Sequence, residues 1–86
     1  MITITLAKFR GRPTAEQIQK TPKVIEEGKG RVLSAYWTLG RFDAVITVEW
    51  PDEKIAMGTL SKLLDVASSE TMVAVPRAEA TKLAGY

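Results

Sequence analysis

Four polar side chains fall on alternate positions of two neighbouring strand-like segments: Tyr36, Thr38, Thr47 and Glu49. Successive side chains of a strand point to opposite faces, so these four are expected to share one face of a hairpin. There they could bind a small organic ligand, with Glu49 as a base and Tyr36 as a hydrogen-bond donor. In the alternative interpretation Tyr36 packs in an interface, and Glu49 pairs with an arginine of a neighbouring strand or a partner subunit.

The residue types that are missing narrow the chemistry further. The chain has no histidine and no cysteine, which excludes a histidine-based catalytic triad, thiolate metal sites and disulfides. Its carboxylates do not form a calcium-loop pattern, and Gly28-Lys29-Gly30 lacks the spacing of a nucleotide-binding glycine motif. Asp43 and Glu49 would lie about 20 Å apart along a strand, too far for a glycosidase pair. We therefore predict neither a metal nor a cofactor.

Composition and charge indicate one ordinary globular domain over residues 1–86. The chain is 45% hydrophobic and 26% charged, without cysteine, a signal-peptide pattern or a long apolar run. We therefore expect a cytoplasmic protein with no membrane partner. Residues 1–31 carry seven Lys or Arg and three Glu, whereas the rest of the chain is net acidic. This basic N-terminal third raises nucleic-acid binding as an alternative, although a solvated surface is the simpler interpretation.

The first third of the chain is expected to form a strand followed by a helix. Alternating apolar residues predict a strand over residues 2–9. Thr14 and Gln17 have the spacing of a capping box, which would begin a helix over about 14–28. Because Pro22 lacks an N–H group, we expect either a kink there or a second short helix with Pro22 at its first position.

The middle of the chain predicts a hairpin with two unlike faces. Residues 31–39 and 44–50 are rich in aromatic and β-branched types. A two-residue loop would pair Leu39 with Phe42, and a four-residue loop would pair Leu39 with Ala44. One face is wholly apolar: Leu33, Ala35, Trp37, Leu39, Ala44, Ile46, Val48 and Trp50. The other, which we call the mixed face, holds Val32, Ser34, Tyr36, Thr38, Val45, Thr47 and Glu49.

The last third predicts a helix over about 52–68 and a strand over 71–75, and the tail over 77–86 could add one helical turn. An acidic start at Pro51-Asp52-Glu53 and an apolar stripe support the helix. The whole order is that of a ferredoxin-like βαββαβ fold, an α+β fold with a four-stranded antiparallel sheet and both helices on one face.

We expect the helices to cover the wholly apolar face and leave the mixed face uncovered. Val32, Tyr36 and Val45 make that face too apolar for water, and Phe9 and Ala7 would add to it if the first strand presents them there. The sequence therefore predicts a homodimer, or a higher oligomer, that buries one sheet against another.

Several short motifs resemble those of the GYD domain family. They are the stretch 35–45, the segment Glu49-Trp50-Pro51-Asp52, Thr71 and, upstream, Thr21-Pro22-Lys23. Members have a Gly-x-Tyr-Asp-like turn, here Gly40 to Asp43, then a strand ending near Glu and a Pro-Asp helix start. The resemblance implies the dimeric α/β-barrel group of ferredoxin-like proteins, which includes ligand-sensing domains and cofactor-free oxygenases.

Two departures from the family pattern affect the expected function. Phe42 replaces the usual tyrosine, and the segment from Pro22 to Gly30 is shorter than usual, which would open a pocket beneath the first helix. Gly40, Phe42 and Asp43 are therefore interpreted as a structural turn.

Three functions remain as hypotheses. The leading one is a dimeric binding or regulatory module whose small organic ligand lies near the mixed face or beneath the first helix. The alternatives are a cofactor-free, oxygenase- or isomerase-like enzyme using Glu49 and Tyr36, and nucleic-acid binding through the basic N-terminal third. The scarcity of aromatic residues on the central strands argues against the last of these.

Overall fold

The computed structural model describes residues 1–86 and arranges them as one antiparallel sheet with helices. The strands are β1 (Ile2–Phe9), β2 (Arg31–Trp37), β3 (Ala44–Glu49) and β4 (Ala67–Ala74). The helices are α1 (Ala15–Glu27), α2 (Glu53–Leu60) and α3 (Arg77–Leu83), and a short 3-10 turn (Ser61–Leu63) follows α2. The strand order β2-β3-β1-β4 confirms the predicted ferredoxin-like fold. None of the helices has the length and apolar character needed to cross a bilayer.

Helix α1 begins with the predicted capping box. The Thr14 hydroxyl accepts a hydrogen bond from the backbone N–H of Gln17 at 3.1 Å, and the Gln17 side-chain oxygen accepts one from the Thr14 N–H at 2.9 Å. The helix then continues through Pro22 as one element. The alternative of a second short helix starting there is wrong, since a proline fits helical φ and removes only one backbone donor.

The hairpin between β2 and β3 has the register of the two-residue loop, but its strands separate early. Regular pairing ends with Trp37 opposite Ala44. Beyond that pair, Thr38 lies in the turn, where its N–H donates to the Asp43 carbonyl at 2.8 Å and its hydroxyl to the Phe42 carbonyl at 2.7 Å. Gly40 has a φ of 131°, a conformation that favours glycine.

An irregularity in β2 changes the faces of its first residues. Val32 lies opposite Val48, whereas Ser34 lies opposite Thr47, so the register shifts by one residue at Leu33. Because side chains alternate along a strand, Val32 joins the face of Val48, and its predicted place on the mixed face is wrong. Leu33 is the extra residue of this bulge. It therefore does not follow the alternation of side chains from which its place on the apolar face was predicted.

The second helix is shorter than predicted and the last strand is longer. Helix α2 with its 3-10 turn ends at Leu63, and β4 already begins at Ala67, so a helix to 68 and a strand over 71–75 were wrong at these ends. Strand β4 pairs with the whole of β1, from Ile2 opposite Ala74 to Phe9 opposite Ala67. These cross-strand pairs outweigh the weak local preferences of the Ser-Ser-Glu segment at 68–70.

The buried core lies at one end of the layer between sheet and helices. Its members are Ile25 of α1, Val48 of β3, Ala56 of α2, and Trp50, which lies between β3 and α2. The indole N–H of Trp50 donates to the Thr3 hydroxyl at 2.8 Å. Helix α1 is therefore held at its C-terminal end, and its N-terminal half extends over the rest of the sheet.

Candidate functional site

A cavity of about 420 Å³ lies between the N-terminal half of α1 and the sheet. It falls within the range of roughly 300 to 1,000 Å³ that is typical of small-molecule sites. Of its 21 lining residues 15 are hydrophobic, and none is Asp, Glu, Lys or Arg. Gln17, Ile18 and Thr21 of α1 line its helical side. The cavity lies beneath the first helix, one of the two places expected for a ligand.

A row of small side chains across three strands makes room for this cavity. Ala7 of β1 lies opposite Ala44 of β3 on one side and opposite Ser69 of β4 on the other. All three residues line the cavity. Because side chains at directly opposed positions share a face, β3, β1 and β4 carry no bulky side chain along this row. The cavity therefore results from residue size as well as from the position of α1.

Two aromatic rings border the row of small residues. Phe9 of β1 and Trp37 of β2 meet edge to face, with ring centroids 5.5 Å apart and an interplanar angle of 63°. Trp37 is 67% exposed, although an indole is a large apolar group, and it lines the cavity. Phe9 and Ala7 thus lie on the helix-covered face, so they do not add to the uncovered one. This aromatic pair offers a flat apolar surface to a bound molecule.

A pair of threonine hydroxyls is the polar feature of the cavity floor. The hydroxyl oxygens of Thr5 and Thr71 lie 2.9 Å apart in a hydrogen bond, and Thr5, which lines the cavity, is 5% exposed. Each hydroxyl has one proton and can accept two hydrogen bonds, so the pair keeps one proton to donate elsewhere. When Thr71 donates to Thr5, that proton belongs to Thr5.

The four residues predicted to form a site are not brought together. Tyr36 borders the cavity, whereas Thr38 lies in the hairpin turn. Tyr36 lies opposite Val45, four positions before Glu49 on β3, which separates the two along the strands by about 13 Å. Arg31 donates to the Glu49 carboxylate at 2.8 Å, the cross-strand pairing given above as the structural alternative. Thr47 lies between them, beside Ile4 of β1.

The turn from Gly40 to Asp43 has a structural role in the sheet. One carboxylate oxygen of Asp43 accepts a hydrogen bond from the backbone N–H of Phe9 at 2.9 Å, and the other lies 3.4 Å from the Lys8 ammonium. The Arg41 guanidinium lies 5.6 Å from the centre of the Phe42 ring. Asp43 therefore ties the hairpin to β1.

The basic N-terminal third is partly neutralised by acidic residues from elsewhere in the chain. Lys20 lies 3.6 Å from Asp65, and Lys8 and Arg31 form the ion pairs described above. Three of the seven basic residues of this segment thus have an acidic partner. This arrangement favours the simpler interpretation, a solvated surface.

Comparison with known families identifies the chain. The family model of the GYD domain matches residues 7–84. The chain belongs to the GYD domain family. A comparison with curated proteins finds no match.

Solved structures share the fold of this GYD domain at low sequence identity. FFRP-DM1 is 19% identical, with a TM-score of 0.65 over 86% of this chain and 97% of that one. A protein from Thermus thermophilus is 24% identical, with a TM-score of 0.58 over 88% of this chain and 98% of that one. An AsnC family transcriptional regulator from Agrobacterium tumefaciens is 16% identical, with a TM-score of 0.55 over 88% of this chain but only 52% of the regulator. At these identities the likeness shows the fold alone.

The residues that form the cavity were not recognised as a site from the sequence. Ala35 and Ala44 had been placed on the apolar face, Ala7 had been considered for the uncovered face, and Ser69 had no assigned role. The available signal was the run of small residues among the inward positions of adjacent strands, which becomes visible only when the strand register is known.

Proposed function

We propose that this GYD domain is a small binding or regulatory module that holds an organic molecule in the cavity beneath α1. The observation that carries the proposal is an uncharged, largely apolar cavity of about 420 Å³. A small domain gains stability by filling such a space, so a cavity left open over a row of small residues favours a role in binding. The AsnC family regulator that shares the fold supports a regulatory use of the bound state.

Tyr36 adjoins the cavity only at its edge, because its position opposite Val45 places its side chain on the other face of the sheet; in this proposal it belongs to the interface and not to the ligand site. Of the other three predicted residues, Thr38 closes the turn, Thr47 shares the face of Tyr36, and Glu49 pairs with Arg31. The catalytic alternative required Glu49 and Tyr36 to act on one molecule. Their separation and the ion pair of Glu49 favour binding over catalysis.

The proposal also includes a second copy of the chain, packed on the sheet face that the helices leave uncovered. We call this the open face, and it includes the following side chains: Ile2, Ile4, Leu6, Tyr36, Val45 and Met72. Tyr36 is 65% exposed and Met72 is 46% exposed. The polar residues Arg31, Glu49 and Glu70 adjoin it. A surface that carries both signs of charge around an apolar centre can complement itself across a two-fold axis.

Native mass spectrometry of freshly purified protein tests both parts of the proposal. We expect a dimer that carries a discrete small-molecule mass, and we expect that mass to be lost in Ala44→Leu, which fills the row of small residues. Ala78→Leu adds the same side chain on the exposed helix α3 and should keep the bound mass. No retained mass, together with no shift of melting temperature in a metabolite screen, would contradict ligand binding. A monomer would contradict the role of the open face.

A further inference from the structure

We infer that the ligand of the cavity is an uncharged, flat, largely apolar molecule with one hydrogen-bond acceptor. This inference rests on the proposed function, because it concerns the chemistry of the same cavity. The expected ligand class includes ketones, esters, phenols and similar neutral aromatic compounds, and it excludes amino acids, carboxylates and nucleotides.

The absence of charge on the cavity wall carries the first step. None of the 21 lining residues is ionised at neutral pH. An anionic or cationic group bound there would lose hydration without gaining a counter-ion, which is strongly unfavourable. Two basic side chains of the N-terminal third are also engaged with other groups, because Lys20 pairs with Asp65 and the Arg10 guanidinium donates to the Leu64 carbonyl at 2.8 Å. A charged ligand therefore has no partner in this cavity.

The shape of the wall carries the second step. The row of Ala7, Ala44 and Ser69 runs across three paired strands and leaves a low surface of small side chains. Phe9 and Trp37 rise beside it at 63° to each other. A flat ring lying over the small residues can meet Trp37 in an offset-stacked or edge-to-face arrangement, the geometries that aromatic pairs prefer. This space suits a planar molecule better than a branched one.

The threonine pair carries the third step. Thr5 lines the cavity and bonds Thr71, and the pair has one proton left to donate. Two polar groups of the helical side are already engaged: the Gln17 side-chain oxygen accepts from Thr14, and the Thr21 hydroxyl donates to the Gln17 carbonyl at 3.2 Å. A ligand carbonyl or ether oxygen placed over Thr5 would accept its proton. The ligand thus carries an acceptor at the end that reaches the floor.

Three probes of similar size test these features separately. Acetophenone is neutral and has one acceptor, ethylbenzene has no acceptor, and benzoate carries a charge. Each is titrated into the full chain labelled with nitrogen-15, and the amide shifts of Ala7, Ala44 and Ser69 report binding in the cavity. We expect acetophenone to bind about three- to tenfold more tightly than ethylbenzene, the range for one neutral hydrogen bond. Benzoate should bind at least about tenfold more weakly than acetophenone.

Two variants test whether the Thr5 hydroxyl and the space above Ala44 cause these differences in affinity. Thr5→Val keeps the shape and removes the hydroxyl, so it should abolish the preference for acetophenone over ethylbenzene and leave ethylbenzene affinity unchanged. Ala44→Leu should abolish the shifts from both neutral probes, and Ala78→Leu should keep them.

The outcomes separate this inference from the proposed function. If benzoate shifts the same amides at equal or lower concentration than acetophenone, the uncharged class is wrong while ligand binding in the cavity stands. If ethylbenzene binds as tightly as acetophenone, the acceptor is wrong. If none of the three probes shifts these amides, or if their shifts persist in Ala44→Leu, the cavity is not the binding site and the proposed function is contradicted as well.

Discussion

The indole N–H of Trp50 donates a hydrogen bond of 2.8 Å to the hydroxyl of Thr3, and each residue is only 2% exposed. Trp50 follows β3, whereas Thr3 belongs to β1, so this bond joins two segments 47 positions apart in the chain. It lies in the core that holds the C-terminal end of α1. Packing of the C-terminal end of α1 therefore determines how the N-terminal half of this helix is held above the cavity.

Removal of the Thr3 hydroxyl should therefore destabilise the domain. Thr3→Val keeps the side-chain volume but leaves the buried Trp50 N–H without an acceptor, which we expect to cost about 1 to 3 kcal/mol. Urea unfolding followed by tryptophan fluorescence measures the change. Thr81→Val is the matched control on helix α3 and should change the free energy of unfolding by less than about 0.5 kcal/mol. Equal effects of the two variants would contradict the importance of this bond.

Two glycine-to-alanine substitutions should have opposite signs. A Cβ atom at Gly30 would lie 2.7 Å from the Ile25 side chain and 2.8 Å from the Trp50 ring, whereas one at Gly58 would meet nothing within 4 Å. We expect Gly30→Ala to destabilise the domain by about 1 to 3 kcal/mol through overpacking. Gly58→Ala lies within α2 and should stabilise it by about 0.5 to 1 kcal/mol. Thermal unfolding of both variants checks the prediction, which a destabilised Gly58→Ala would contradict.

The bond from the Phe9 N–H to the Asp43 carboxylate predicts a stability effect at the hairpin turn. Asp43→Ala should cost about 1 to 2 kcal/mol, because a partly buried backbone donor loses an ionised acceptor. Asp65→Ala removes only the exposed pair with Lys20 and should cost less than about 1 kcal/mol. Denaturant unfolding compares the two variants. Hydrogen exchange should also become faster at the Phe9 amide, and unchanged protection there would argue against the bond.

A charge on the open face should disrupt the proposed dimer. Met72→Glu places a carboxylate among apolar side chains, and two-fold symmetry would bring two copies of it into one interface. We expect the dissociation constant to rise at least about tenfold, as measured by sedimentation equilibrium. Met57→Glu introduces the same change on α2, where the methionine is 76% exposed, and should leave the mass unchanged. A monomeric wild-type protein, or equal effects of the two variants, would contradict the proposed interface.

Most of the fold could be predicted because its signals are local. The strand at 2–9 follows from alternation, and the start of α1 follows from Thr14 and Gln17, whose hydrogen bonds involve residues three apart. The bulge at Leu33 and the early start of β4 depend on pairing with distant strands. No local pattern specifies them, because their stabilisation comes from partners in β1 and β3.

The candidate site was harder to predict than the fold because it is a cavity, which forms where side chains are small. The sequence draws attention to reactive side chains such as Glu49, whereas the cavity depends on the small size of Ala7, Ala44 and Ser69 in one register. The position beneath the first helix was expected from the short segment after Pro22. Which side chains lie there could be read only from the paired strands.

The row of small residues also makes the depth of the cavity adjustable without any change of backbone. A methyl group at Ala7 or Ala44 can be exchanged for a larger aliphatic group on a strand whose pairing partners stay the same. Each exchange would exclude the larger members of a ligand series and favour the smaller ones. In the proposed site, a single substitution at Ala7, Ala44 or Ser69 would therefore change the ligand preference while the strand pairing, the core and the open face stay the same.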